Sequence, residues 1–323
     1  MDIFLQQIFN GLTLGSIYAL VALGYTMVYG IMGLINFAHG EVVMMGALSA
    51  LAVMKLLAAS GLPGPLVFVI AFAVAALVCM VLGFSIERIA YRPLRNAPRL
   101  APLITAIGVS IVLQQLAMLI WGRNYFSVPA LLPAASHDVL GAQITELQLI
   151  IMAVAALTMA GLMLLVNRTR MGRAMRATAE NPAIAGLMGV DANRIISLTF
   201  IIGSALAALA GVLVSANYGI AHYHMGFILG LKAFTAAVLG GIGNLAGAML
   251  GGVLLGLIEA LGAGYIGDVT NVCTLGLAQM CAADPDQSLL GSNYQDVFAF
   301  FVLIVVLIFR PSGLMGEKVS ERA

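Results

Sequence analysis

Of 323 residues, 62% are hydrophobic and only 9% are charged, for a mean hydropathy of +1.05. Soluble domains carry about 25% charged residues, so a water-soluble fold is excluded and an integral membrane protein is expected. A net charge of +1 offers no basic surface for nucleic acid, and three cysteines without a CxxC or Cys/His cluster give neither a disulfide scaffold nor a zinc module.

The opening MDIFLQQIFNG has no Lys or Arg. A cleaved secretory signal would begin with a positive region, so residue 1 is expected to belong to the mature chain. A membrane helix needs about 20 mostly apolar residues. That length selects runs near 5–30, 34–54, 66–86, 102–121, 147–166, 195–216, 227–243, 247–265 and 296–310. The expected fold is an all-α integral membrane protein, a single transmembrane domain over 1–323. It has about eight transmembrane helices, some broken or re-entrant.

The second run opens on INFAHGE (35–41), which sets Asn36, His39 and Glu41 in its first turn. Asn36 can cap a helix, and Glu41 suits the positive dipole end. Either these groups satisfy the loosened backbone of a broken helix, or they form a gate or part of a translocation path. Ionisable residues at membrane depth favour function, although Glu41 falls near a predicted interface. His39-Gly-Glu41 lacks the paired histidines of a zinc helix, so no metal is expected. Cys79, in the middle of the third run, reads as packing.

The segment RTRMGRAMRATAENPAIAGLMGVDANRI (168–195) is polar and helical between two apolar runs. Asn181 is a good N-cap, and Pro182 falls at the first helical position, where its missing N–H costs nothing. Ile184, Leu187 and Met188 follow at i, i+3 and i+4, giving one apolar face, and Gly189 supplies a left-handed stop. Before them, Arg173, Arg176 and Glu180 share roughly one side, with Met171 and Met175 on another. A helix of about two turns is unstable alone in water, so something must hold it. It is either a connector lying on lipid headgroups or a docking peg for a cytoplasmic partner. The small residues of AENPAIAGLMG, Gly186 among them, permit close approach and favour the peg.

Lys232 and Glu259 are the charges deepest in predicted spans, and either pair with each other or face a water-filled path. His222 and His224 read as solvated loop residues. In GGIGNLAGAMLGGVLLG (240–256), the four-residue spacing of Gly243, Gly247 and Gly251, and of Gly252 and Gly256, predicts close helix packing. Cys273 and Cys281 lie in an acidic loop (266–294), where they could close a small disulfide.

Most of the chain's 15 lysines and arginines fall in three segments. These hold Arg88, Arg92, Arg95 and Arg99; Arg168, Arg170, Arg173, Arg176 and Arg194; and Arg310, Lys318 and Arg322. The loops at 122–146 and 266–295 carry Asp138, Glu146, Asp268, Asp284 and Asp286, with Arg123 as their one base. The basic segments are therefore expected in the cytoplasm and the acidic loops outside. Three runs precede Arg88, which puts the N-terminus outside and the C-terminus inside.

GLTLGSIYALVALGYTMVYGIMGLINFAHGE (11–41), SIERIAYRPLR (85–95), TRMGRAMRATAE (169–180) and KAFTAAVLGGIGNLAGAMLGG (232–252) resemble the branched-chain amino acid permeases of ABC importers. Within them, the likeness is to the H-type subunits of leucine/isoleucine/valine systems. It covers about 5–265 and 295 to the end; the loop at 266–294 is longer than the family pattern. The resemblance implies an ABC importer permease fold in a bacterial inner membrane and a second homologous permease subunit beside it. Two cytoplasmic ATPase subunits and a periplasmic substrate-binding protein complete the assembly it implies. Segment 168–195 would be the coupling loop, seated in a groove of an ATPase subunit. ATP and magnesium would be used by those subunits, with no cofactor on this chain, which has no G-x-x-x-x-G-K-[ST] motif. Related permeases move urea and short amides. From the residues alone, an ion-coupled transporter using Glu41, Lys232 and Glu259 is the competing reading. An intramembrane enzyme has no nucleophile–base constellation to support it.

Overall fold

The computed structural model describes residues 2–95, 97–98, 100–132, 135–269 and 294–316. The Cys273–Cys281 disulfide lies outside the described residues, as do Arg99, Asp284, Asp286, Lys318 and Arg322.

Eleven helices make up most of the described chain: α1 Asp2–Met32, α2 His39–Leu57, α3 Gly64–Ile86, α4 Leu100–Trp121, α5 Glu146–Arg168, α6 Arg170–Glu180, α7 Pro182–Leu187, α8 Ala192–Tyr218, α9 Met225–Gly240, α10 Leu245–Val269 and α11 Gln295–Phe309. Seven are long and apolar enough to cross a membrane, and α9 and α11 are shorter apolar helices. The sequence count of about eight falls between seven and nine. The difficulty is α9, which at 16 residues is short for a span.

Helices α1, α2 and α8 form the centre. In its most apolar window α1 is 78% buried, whereas α5 is 22% buried. The outer helices α3, α4 and α5 present Leu77, Val81, Ile111, Leu119, Leu157 and Leu164 outward, as lipid requires. Helix α10 runs antiparallel against α1, with Gly256 beside Gly15 and Gly264 beside Gln7.

Two small antiparallel sheets close one end of the bundle. Phe126–Ser127 (β1) pairs with Ile220–Ala221 (β4), and Ser136–Val139 (β2) with Ala142–Thr145 (β3). The β2–β3 turn places Leu140 and Gly141 at φ 55° and 86°, the left-handed pair that a two-residue hairpin demands. Gln6 of α1 exchanges hydrogen bonds with the Gln143 backbone at 3.0 and 2.8 Å. The N-terminal end of α1 and loop 122–146 therefore share one end of the molecule. At the opposite end, Arg95 reaches both Glu87 and Asn193 Oδ1. There too the segment after α11 bonds back to the α9–α10 turn, through Leu314 N–H to Leu239 O and Met315 N–H to Gly240 O, both 2.9 Å. The described parts of the three basic segments thus gather at one end.

Candidate functional site

The segment between α5 and α8 folds into two short helices. Thr169 caps α6 by accepting from Gly172 N–H at 3.1 Å. A Cβ on Gly172 would lie 2.0 Å from Val166 O, so only glycine lets α6 turn back flush against the end of α5. Arg176 donates to the same Val166 carbonyl. Arg173, Arg176 and Glu180 are all exposed, and the Arg176 bond fastens α6 to the end of α5. Met175 is buried and Met171 partly so, which anchors α6 to the bundle.

Asn181 then takes extended backbone and accepts from Ala183 and Ile184 N–H at 3.0 and 3.1 Å. Gly189 follows at φ 83° and ends the turn. Of α7, only Ala185 is buried; Ile184, Met188 and Leu187 are exposed, Leu187 by 87%. The molecule thus holds an apolar knob in place and leaves it bare. Replacing Asn181 by alanine should cost about 1 kcal/mol of α7 stability. Hydrogen exchange at the Ala183 and Ile184 amides should speed up about fivefold, and unchanged exchange would contradict the cap.

In the interior, the structure departs from the sequence reading of INFAHGE. Helix α2 begins at His39 with Ala38 as its N-cap. Asn36 lies two residues earlier, accepting from Ala38 N–H at 3.1 Å and Tyr91 O–H at 3.0 Å. It therefore ties the incoming loop to the segment after α3 instead of capping the helix. Glu41 is buried in the chain at 1% exposed and meets α4 (Leu100–Trp121) near its middle, deeper than the helix start suggested. Its Oε1 accepts from Ser110 Oγ at 3.1 Å and Gln114 Nε2 at 2.7 Å, both on α4. Its Oε2 has no partner among the described residues, nor has His39 Nε2. The His39 ring stands edge-on to Tyr25 at 4.8 Å. Ser110 and Gln114, four apart in an apolar helix, were the overlooked signal for this contact.

Toward the end that carries the sheets, Lys232 Nζ on α9 lies 2.7 Å from Glu259 of α10 and 2.6 Å from Asp296 of α11. Tyr18 O–H of α1 donates to Glu259 Oε2 at 2.9 Å. The two deep charges do pair with each other. Lys232 also lines a cavity of about 300 Å³ with Tyr18, Tyr218, Met225 and Leu229. Asp296 and Tyr18 went unnoticed in the sequence because nothing local marks them; they arrive from the two ends of the chain. His222 Nε2 donates to the Arg123 carbonyl, 3.1 Å away, and its ring stacks on Tyr125. Among the described residues no cluster of three or more His, Cys, Asp or Glu could hold a metal.

The glycines of α10 face two neighbours. A Cβ on Gly252 would lie 2.4 Å from Ala19 N, and one on Gly256 2.2 Å from Gly15 N, so both touch α1 backbone. Gly247 and Gly251 meet α9, at Gly240 O and Ala236 O. Gly243 is different: it takes φ 94° in the α9–α10 turn, and a Cβ there would meet nothing within 4 Å. Its role is the turn, not packing.

A bundle of apolar helices with charges sequestered in its centre and a peg bare at one end defines a multi-pass membrane permease. The chain belongs to the family of branched-chain amino acid transport system permease components, whose model matches residues 7–307. It is 48% identical to the high-affinity branched-chain amino acid transport system permease protein BraD of Pseudomonas aeruginosa, over 99% of this chain and 98% of that protein. To the high-affinity branched-chain amino acid transport system permease protein LivH of Escherichia coli it is 44% identical, over 99% and 97%. The probable branched-chain amino acid transport permease protein LivH of Methanocaldococcus jannaschii is 27% identical over 93% and 89%. No solved structure matches.

Proposed function

We propose that this chain is the membrane-spanning subunit of a binding-protein-dependent importer for leucine, isoleucine and valine in a bacterial inner membrane, driven by ATP hydrolysed on separate subunits. The observation that carries it is the near full-length identity to BraD and LivH, whose names specify branched-chain amino acid transport. The exposed α7 knob supports the coupling part. A second homologous permease stands beside the chain, and two ATPase subunits with their ATP and magnesium sit below. A periplasmic binding protein delivers substrate from above. Positive segments mark the cytoplasmic end, which places the N-terminus outside and the peg inside.

Residues Arg173, Arg176, Glu180, Asn181, Pro182, Ile184, Gly186, Leu187 and Gly189 form or position the peg. Closure of the ATPase subunits draws the peg inward, and α5 and α8, directly connected to it, carry the displacement into the bundle. Alternating access is then a two-state rocking of helices. Glu41, held by Ser110 and Gln114, fastens α2 to α4, and Lys232 and Glu259 fasten α9 to α10. With Asn36 and His39 they are the joints and polar surfaces of the path.

Leucine uptake into vesicles carrying the assembled transporter should require internal ATP and an external binding protein. Dissipating ion gradients with an uncoupler should leave it unchanged. Uptake without ATP that collapses with the uncoupler would favour an ion-coupled transporter. Stronger uptake of urea than of leucine would displace the substrate assignment.

A further inference from the structure

In the group formed by Lys232, Glu259 and Asp296, one ammonium lies 2.7 Å from the first carboxylate and 2.6 Å from the second. The two acids are not equivalent. Glu259 is 1% exposed and is also bonded by Tyr18 O–H at 2.9 Å. Separating it from Lys232 would strand an unpaired charge in the interior, which is strongly unfavourable. The Asp296 side chain is 39% exposed, in the first turn of α11. Its Oδ1, which faces Lys232, is buried, but the rest of the carboxylate keeps its water, so this pairing is less costly to open than the one with Glu259 and still needs a replacement cation at Oδ1.

Beside this pair lies the cavity of about 300 Å³, at the small end of the range of about 300–1,000 Å³ for small-molecule sites. Met225, Ile228 and Leu229 give it an apolar wall, Tyr18, Tyr218, His222 and His224 contribute polar edges, and Lys232 lines it with Asp296 directly behind, 2.6 Å from its ammonium. We infer that this cavity is a binding site for an amino-acid zwitterion, which inserts into the Lys232–Asp296 ion pair. The α-carboxylate takes the Lys232 ammonium, the α-ammonium takes the released Asp296 carboxylate, and the branched side chain rests on Met225, Ile228 and Leu229. This rests on the amino-acid reading above and specifies which part of the ligand the chain itself reads.

Charge balance makes the site selective. A zwitterion turns one ion pair into two and adds no net charge to a place that tolerates none. A carboxylic acid without the ammonium would displace Asp296 and leave it unmatched. An amine without the carboxylate, or a neutral amide, has nothing to draw Lys232 from its acids. Sites built on buried polar partners reject analogues that lack one of them far more strongly than apolar pockets reject a missing methylene. Insertion also loosens α11 from α9, since Asp296 and Lys232 tie these helices together.

The test is photolabelling of the assembled transporter in liposomes with a diazirine analogue of leucine, mapped by mass spectrometry. Label is expected on Tyr218, Met225 or Ile228. It should fall at least tenfold with excess leucine, and not with leucinol or 4-methylpentanoate. Asp296→Asn, which leaves Lys232 on Glu259, should lower the label at least tenfold. Lys232→Gln should do the same, but it strands Glu259 and is read only where the protein still folds. Labelling elsewhere, equal competition by leucinol, or wild-type labelling of Asp296→Asn would overturn the inference. ATP-driven leucine uptake is measured on the same liposomes. Uptake without cavity label sinks this site and leaves the transport reading standing; no leucine uptake sinks both.

Discussion

Replacing Gly186 with phenylalanine is expected to abolish ATP-driven transport while the protein still inserts and folds. In this chain a Cβ at Gly186 meets nothing within 4 Å. The ring would therefore project into open space, and helix propensity favours phenylalanine over glycine. No intramolecular contact is lost. If α7 sits in a groove of an ATPase subunit, the same ring must fit between two surfaces that already touch. Disrupting the centre of an interface costs at least about 2 kcal/mol, roughly a thirtyfold loss of affinity. The measurement is leucine uptake normalised to membrane-inserted protein, with ATPase subunits co-purified from the same cells. Normal uptake and normal co-purification would count heavily against docking through α7.

A second large effect is expected from Gly256→Leu, which should reduce the amount of folded protein. Its Cβ would lie 2.2 Å from Gly15 N, 2.4 Å from Gly15 Cα and 2.6 Å from Gly11 O. These are backbone atoms of α1, so no rotamer can yield; the two helices must separate. Overpacking a close contact costs about 1–3 kcal/mol and sometimes more. Separation would also disturb the Tyr18–Glu259 bond, which joins the same two helices. The thermal midpoint in detergent should drop by several degrees, with yield falling alongside it. Gly243→Ala, in a turn at φ 94° with open space around it, should instead show modest backbone strain with no loss of helix packing. Equal stability of Gly256→Leu and wild type would contradict the α1–α10 contact.

Much of the architecture is written in the sequence because membrane helices are specified by local properties, length and apolarity. The α6–α7 segment is equally legible: Asn181, Pro182 and Gly189 act through their own backbone geometry, which no distant contact has to supply. Depth is harder to read. Glu41 sits at the start of a helix and so looks interfacial, yet the loop before α2 returns into the bundle, and the helix begins already buried. That return depends on Asn36 meeting Tyr91, a contact between residues 55 positions apart.

Pairing is harder still. Lys232 and Glu259 stand out because charges are rare in apolar runs. Asp296 does not stand out: it falls at the edge of a run, next to an acidic loop. Its partnership with Lys232 exists only once α9 and α11 are side by side. The glycine stripe shows both cases at once. Gly252 and Gly256 could have been matched to Gly11, Gly15 and Ala19, which repeat at the same four-residue interval on α1. Gly243 continues that interval in the sequence but lies beyond the end of α10, where it serves a turn.

The most direct measurement is a cryo-electron microscopy map of the whole transporter with its ATPase subunits bound. The account requires Leu187 and Met188 to disappear from solvent into a cleft on the motor, with density from that subunit on both sides of Gly186. A map in which positions 181–189 stand free, or lie flat on the bilayer while the motor grips another part of the chain, would contradict it.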